Sequence, residues 1–325
     1  MPFVIALFFL LVFSAASIYL RELENLRILV REDIDSVKKL FENQVRHNAE
    51  LLGGIIDFLL EEEENLRGAW LIKDRTALFN QTFPLFNAMR SQYNVTHFYF
   101  IDLQGVCFLR VHDPANFGDT INRFTLKQAM STGSSTYGVE VGPLGILTLR
   151  RVYPWYFNNK LEGYIELGKE IHHITPELKK ILGVELIFTI DKSLLDREKW
   201  ERGLRTMGRT GNWEDFRDFV IADNTVEDGT IPEINAYLKR FHRKHSRTIF
   251  KVTTGNQVYC GEFVPLIDAS GSDIGDLVIL KDVTKYEKSL LHLFAALVFA
   301  SVTVCGIFFF YFSRIKNSLI KANEG

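Results

Sequence analysis

Cysteine is scarce in this sequence: Cys107, Cys260 and Cys305 are the only three in 325 residues. They lie far apart, and no CxxC or Cys/His ligand spacing occurs, which argues against a zinc site. A Cys107–Cys260 disulfide would have to join two predicted domains, so buried free thiols are the simpler expectation. An excess of one charge is also missing. The 38 Lys and Arg against 40 Asp and Glu leave a net charge of −2. Nothing in that balance attracts nucleic acid in bulk. No HExxH, GxSxG or Walker pattern is present, so neither an enzyme nor a bound cofactor is expected. His112 with Asp113 and Asp119 lacks a nucleophile beside it. Proline is rare too, with eight in the chain and none between Pro2 and Pro84. No proline therefore interrupts a helix running to about Glu64, and Gly53-Gly54 is its only weak point.

What the chain does have is apolar length. It is 47 % hydrophobic, enough for more than one core at roughly 100 to 200 residues per domain. "PFVIALFFLLVFSAASIYL" (2–20) carries no charge, and "LLHLFAALVFASVTVCGIFFFYF" (290–312) has only His292 near its start. Each approaches the ~20 apolar residues that span a bilayer core. The small residues of "SAAS" would suit a cleavage site, but a basic n-region is absent and the helical pattern continues. A retained anchor is the reading. Arg314, Lys316 and Lys321 follow the second run, which places the C-terminus in the cytoplasm. Two crossings of a bacterial inner membrane would leave residues 21–288 in the periplasm.

Leu23, Leu26, Val30, Ile34, Val37, Phe41, Val45, Leu52, Ile55 and Leu59 follow a helical period. One long helix is predicted from the membrane to about Glu64. Strand signals then dominate: 96–102 and 106–112 as a hairpin, 137–142, 146–157 and 161–171, with a helix near 123–130. A short helix at 175–183 marks a junction. Beyond it come strands at 184–191 and 219–222, helices near 197–207 and 232–242, and three final strands. The predicted class is α+β: a long helix carrying two tandem antiparallel-sheet modules between two membrane helices.

"FLRVHDPANFGD", "YGVEVGPLGILTLRRVYPW", "GYIELGKEI", "VELIFTIDKSLLDREKW" and "VPLIDASGSDIGDLVILKDVT" resemble the double Cache sensory domains of bacterial receptors. In particular they resemble the double sensory domain of two-component sensor kinases. The resemblance runs from about residue 35 to 285. It implies PAS-like modules, a small-molecule ligand in the membrane-distal one, and a signal carried inward. The implied organisation is 1–20 first span, 21–65 signalling helix, 66–173 distal module and 174–286 proximal module. Residues 287–313 would be the second span and 314–325 the start of a cytoplasmic linker. "RRVYPWYF" lacks the residue order of amino-acid-binding members, so an amino-acid ligand is not implied there. The chain stops soon after the second span with no kinase, cyclase or methyl-accepting sequence; a truncated chain or gene fragment is expected.

On the hairpin, alternation puts Phe108, Arg110 and His112 on one face. Glu140, Arg150, Tyr164 and Glu166 are candidates for the same pocket, with Tyr153, Trp155 and Tyr156 as an aromatic wall. Two readings stay open. The arginines and glutamates close into a structural salt-bridge net, or one guanidinium grips a carboxylate, phosphate or sulfonate. Asp113 and Asp119 read as turn residues, with Arg123 the expected partner of Asp119. His172-His173 and "RFHRKH" read as non-metal sites, the latter a solvated basic patch, as does the cluster Arg202, Arg205 and Arg209. The leading function is a homodimeric membrane receptor for a small polar, anionic ligand. The rival is a membrane-anchored assembly protein whose modules bind a protein partner.

Overall fold

Two five-stranded antiparallel sheets, each fed by its own helices, organise the computed structural model, which describes residues 2–62, 64–206, 208–226, 232–242 and 249–323. The first helix, α1 (Pro2–Glu62), is 61 residues long. It is followed by α2 (Glu64–Leu71) and α3 (Arg75–Tyr93). The sequence reading assigned no element to the stretch of α3, which carries Pro84 inside it. Its reason for being helical is tertiary: Leu78, Thr82, Phe86 and Met89 form a buried stripe. Asp74 starts it, its carboxylate accepting from the Ala77 N–H at 2.9 Å. Asn94 stops it in the left-handed region at φ 58°.

The first sheet follows: β1 (His97–Ile101), β2 (Cys107–Arg110), β3 (Thr136–Val141), β4 (Leu147–Phe157) and β5 (Lys160–Glu170). Helix α4 (Phe124–Thr132) falls between β2 and β3. The strand order is β2-β1-β5-β4-β3. Next come α5 (Thr175–Leu182), β6 (Val184–Asp191), α6 (Arg197–Thr206), β7 (Phe219–Asn224), α7 (Pro232–Phe241), β8 (Phe250–Thr254), β9 (Gln257–Ile267) and β10 (Asp273–Asp282). The second sheet is ordered β7-β6-β10-β9-β8, the first order repeated five strands later. The closing helix is α8 (Thr284–Asn323).

The chain divides into two compact units. One comprises residues 1–34, 249–261 and 281–325. Within it Phe3 lies edge-on to Phe308 and Phe312 at 6.5 and 6.2 Å, Tyr19 meets Phe294 at 5.2 Å, and Lys251 pairs with Glu287 at 2.7 Å. Both terminal helices are long and apolar enough to cross a membrane, and only 6 % and 11 % of their most apolar windows are buried. A core helix of a water-soluble domain would bury that surface instead. The other unit, 35–248 with 262–280, holds the whole first sheet.

Two strand expectations need correction. The second strand of the hairpin ends at Arg110, and Val111 and His112 lie in a turn. The register also slips between Phe100 and Ile101: Phe100 faces Leu109, whereas Ile101 faces Cys107. Phe108 is the extra residue of a bulge, so simple alternation fails there. It turns edge-on to Trp70 at 5.2 Å, while Arg110 lies over the Tyr99 ring at 5.4 Å.

Candidate functional site

The face of the first sheet that carries α4 has an apolar floor. Tyr99, Ile101, Cys107, Ile121, Leu126, Ala129, Val152 and Tyr164 form one buried cluster. The register explains the grouping, since Tyr99 and Val152 both stand opposite Glu166 across their ladders and Ile101 stands opposite Tyr164. Tyr164, expected in the pocket, is thus part of this floor.

Charge is set into the floor. Glu166 is fully buried, and its Oε1 accepts from Arg123 Nη1 and Arg150 Nη1, each at 2.5 Å. Its Oε2 has no hydrogen-bond partner. Burial opposes the charge on Glu166, but the two guanidiniums outweigh it and hold the carboxyl below its ordinary range. Arg150 is 1 % exposed, and its Nε stands 3.8 Å from Glu140. Glu140 is engaged elsewhere: it accepts the Thr125 N–H at 3.0 Å and the Thr125 hydroxyl at 2.9 Å. Its carboxylate therefore serves the first turn of α4, where free N–H groups attract negative charge.

The rim is built by Arg110. Nη1 donates to the Asn116 carbonyl and Nη2 to Asp119 Oδ2, both at 2.6 Å. Asp119 therefore meets Arg110, and Arg123, the partner expected for it, turns to Glu166 and to the Tyr99 hydroxyl at 3.1 Å. The hydrogen bond from Arg110 holds the Asp119 carboxyl below its usual value. Arg110 and Arg123 share the Tyr99 ring, at 5.4 and 4.8 Å. Beside the covering loop, Lys73, Arg75, Phe108 and Phe117 border a cavity of 380 Å³.

His112 is drawn in by its rings rather than by strand alternation. It lies 4.8 Å from both His97 and Tyr99, and its Nδ1 accepts the Phe98 N–H at 3.1 Å. Burial pushes it down to about 4, and burial with the nearby arginines pushes His97 well below its usual value. Two neutral imidazoles therefore stand among the guanidiniums. Sequence reasoning missed His97, Tyr99, Arg123 and Thr125 as members of this group. For His97 and Tyr99 the signal was available: they alternate on the strand that pairs with β5.

Tyr153 and Trp155 lie away from this group, on the opposite sheet face. The Tyr153 hydroxyl donates to Asp57 of α1 at 3.3 Å. Trp155 packs on Trp70 at 5.5 Å and Phe100 at 6.1 Å. The aromatic wall expected from Tyr153, Trp155 and Tyr156 is accordingly not assembled beside Arg150, because Tyr153 and Trp155 are out of phase with Arg150 along the strand and Tyr156 sits six residues further on, near the end of β4. The exposed Tyr156 donates to the Gly133 carbonyl at 3.2 Å.

Outside this face, His242 differs from the solvated patch expected of it. It is clamped between Asp276 at 2.6 Å and Asp191 at 2.9 Å; His245 lies outside the described residues. Burial works against its protonation, yet the two aspartates raise its pKa. His172 and His173, which as neighbours on a strand end would point apart, instead lie in a 3-10 turn that brings their rings to 3.9 Å at a tilt of 39°. Of the basic cluster, Arg202 and Arg205 are exposed and Arg209 is half-buried. All three cysteines are buried free thiols.

No match was found among curated proteins. The ligand-binding domain of the Pseudomonas aeruginosa PAO1 amino-acid chemoreceptor PctB, solved with L-Arg, is similar at 13 % identity and TM-score 0.43, over 81 % of this chain and 97 % of that one. The Vibrio cholerae histidine kinase DctB sensor domain is similar at 11 % identity and TM-score 0.39, over 76 % and 98 %. The ligand-binding domain of the Campylobacter jejuni chemoreceptor Tlp3, solved with 4-methylisoleucine, matches at 12 % identity and TM-score 0.38, over 82 % and 93 %. The family model described as "Double sensory domain of two-component sensor kinase" matches residues 30–286. The chain belongs to that family of double sensory domains.

Proposed function

We propose that this chain is a two-pass receptor of the bacterial inner membrane that senses a small anionic molecule in the periplasm. A non-catalytic sensory role agrees with the family. The observation that carries the anionic reading is the Arg110 clasp. A half-exposed Asp119 carboxylate occupies a guanidinium whose other arm holds the Asn116 carbonyl of the same loop. Asp119 acts as an internal stand-in for the ligand. An incoming carboxylate or phosphonate replaces it, meets Arg110 with Arg123 close by, and frees the 113–119 loop. The ligand's differential affinity for the released state then biases two conformations. A homodimer about α1 would pass that bias across the membrane to a cytoplasmic output such as a histidine kinase.

Thermal-shift screening of the full chain in lipid nanodiscs against organic acids and phosphonates tests this. For a hit, Asp119→Asn tightens binding by roughly tenfold, because the competing charge-assisted bond is weakened, and Arg110→Gln abolishes it. Weaker binding to Asp119→Asn would remove the stand-in mechanism. A second reading rests on the closure of the same network: Arg110, Arg123 and Arg150 already face Asp119, Glu140 and Glu166. That balance favours an assembly protein whose modules bind a protein partner, and it predicts no shift with any anion.

A further inference from the structure

The second module carries a cavity of its own. It measures 670 Å³ and lies between α6, β7 and α7, within the ~300–1,000 Å³ of small-molecule sites. Its apolar wall is Trp200, edge-on to Trp213 at 5.4 Å, and Phe216, stacked on Phe219 at 4.3 Å. Its polar groups include Arg209 and Asp223.

Neither of these charges is well satisfied. Arg209 Nη1 donates to the Ala222 carbonyl at 3.3 Å. Ala222 is the bulged residue of β7, since Thr189 faces Ile221 and Phe188 faces Asp223. The Arg209–Glu170 distance of 3.9 Å is too long for a hydrogen bond. Most of the five guanidinium N–H donors are therefore available. Asp223 receives the Thr175 hydroxyl at a long 3.4 Å and the Asn224 backbone N–H, and burial still raises its pKa despite these bonds and the nearby Arg209 and His172. A buried acid in that condition gains from a cationic donor. Asp215, at the rim, is engaged by Asn212 at 3.0 Å. A simple anion would meet two aspartates here, and a simple cation would meet Arg209.

We propose that this cavity binds a small zwitterion with an apolar group. The carboxylate sits on Arg209, the ammonium on Asp223, and the apolar group against Trp200 and Phe216. Arg209 also borders a 520 Å³ cleft with Glu170 and His172. A ligand carboxylate thus competes with Glu170, the last residue of β5, and occupancy of the second module is felt at the first sheet. The site is separate from the Arg110 clasp and does not depend on it.

The probes are the twenty common L-amino acids, added to the full chain in lipid nanodiscs, with calorimetry and tryptophan emission as readouts. At least one binds and shifts the emission. Its decarboxylated and its deaminated analogues bind at least about tenfold more weakly, each having lost one charge-assisted contact. Arg209→Gln and Asp223→Asn each weaken the hit to a similar degree. Trp200→Phe, which trims the apolar wall, weakens the hit and diminishes the emission change. Should Arg209→Gln lose its near-UV circular dichroism, Asp223→Asn alone decides. The proposal is overturned if no amino acid binds, if an analogue lacking one charge binds as tightly, or if the hit survives Asp223→Asn.

Discussion

Replacing Glu166 with Gln keeps the shape of the side chain and removes its charge. Glu166 is the shared anion of Arg123 and Arg150, and both contacts converge on one oxygen. Arg150 is 1 % exposed and cannot reach water without moving the sheet. Its other carboxylate, Glu140, is 3.8 Å from its Nε and committed to Thr125. Glu166→Gln thus strands a buried cation, which costs about 3–5 kcal/mol. Arg150→Met is the control. It leaves Glu166 paired with Arg123 and replaces a buried guanidinium with an apolar chain, so its cost is much smaller. Hydrogen–deuterium exchange of the β1, β4 and β5 amides reads the difference locally. At about 1.4 kcal/mol per tenfold, Glu166→Gln speeds their exchange by roughly 100- to 4,000-fold, and Arg150→Met does so far less. Equal acceleration by the two variants would refute the shared-anion account, because it would mean the arginine's packing matters more than its counter-charge.

Acid weakens the first module through His112. Its folded pKa of about 4 lies below the ordinary imidazole value of 6.5, so the unfolded chain binds the proton first. Stability is full above pH 6.5 and falls by about 3 kcal/mol as pH drops to 4; melting curves of His112→Gln should show a flatter slope across that window. His242 behaves in the opposite sense. Its folded pKa is raised, so its contribution is complete below the unfolded value and disappears as pH rises through the folded one. The alkaline loss of stability in the second module is therefore smaller in His242→Gln. Cys107 is buried and its thiol is pushed up to about 11, so N-ethylmaleimide at pH 7 labels it in denaturant and leaves it unlabelled in the folded chain.

The sequence by itself determined the elements and their order. Apolar runs at each end, a stripe with helical period, and alternating strands broken by turns are local signals, each readable within ten or twenty residues. The repeat of the module was legible for the same reason. Tertiary structure decided what those signals leave open. Helix α3 exists because Leu78, Phe86 and Met89 find a surface to bury, which outweighs Pro84. The bulge at Phe108 separates a ring from the arginine two residues on, and no one-dimensional alternation rule contains that slip. Above all, the choice of partner belongs to the fold. Glu166 could have paired with any of several arginines in the sequence. Only the β1–β5–β4 register, with α4 laid across it, brings Arg123 and Arg150 to one oxygen and leaves Arg110 to Asp119. A charge buried in low dielectric is settled by whichever partner the packing delivers within hydrogen-bond reach, and that distance is a property of three dimensions.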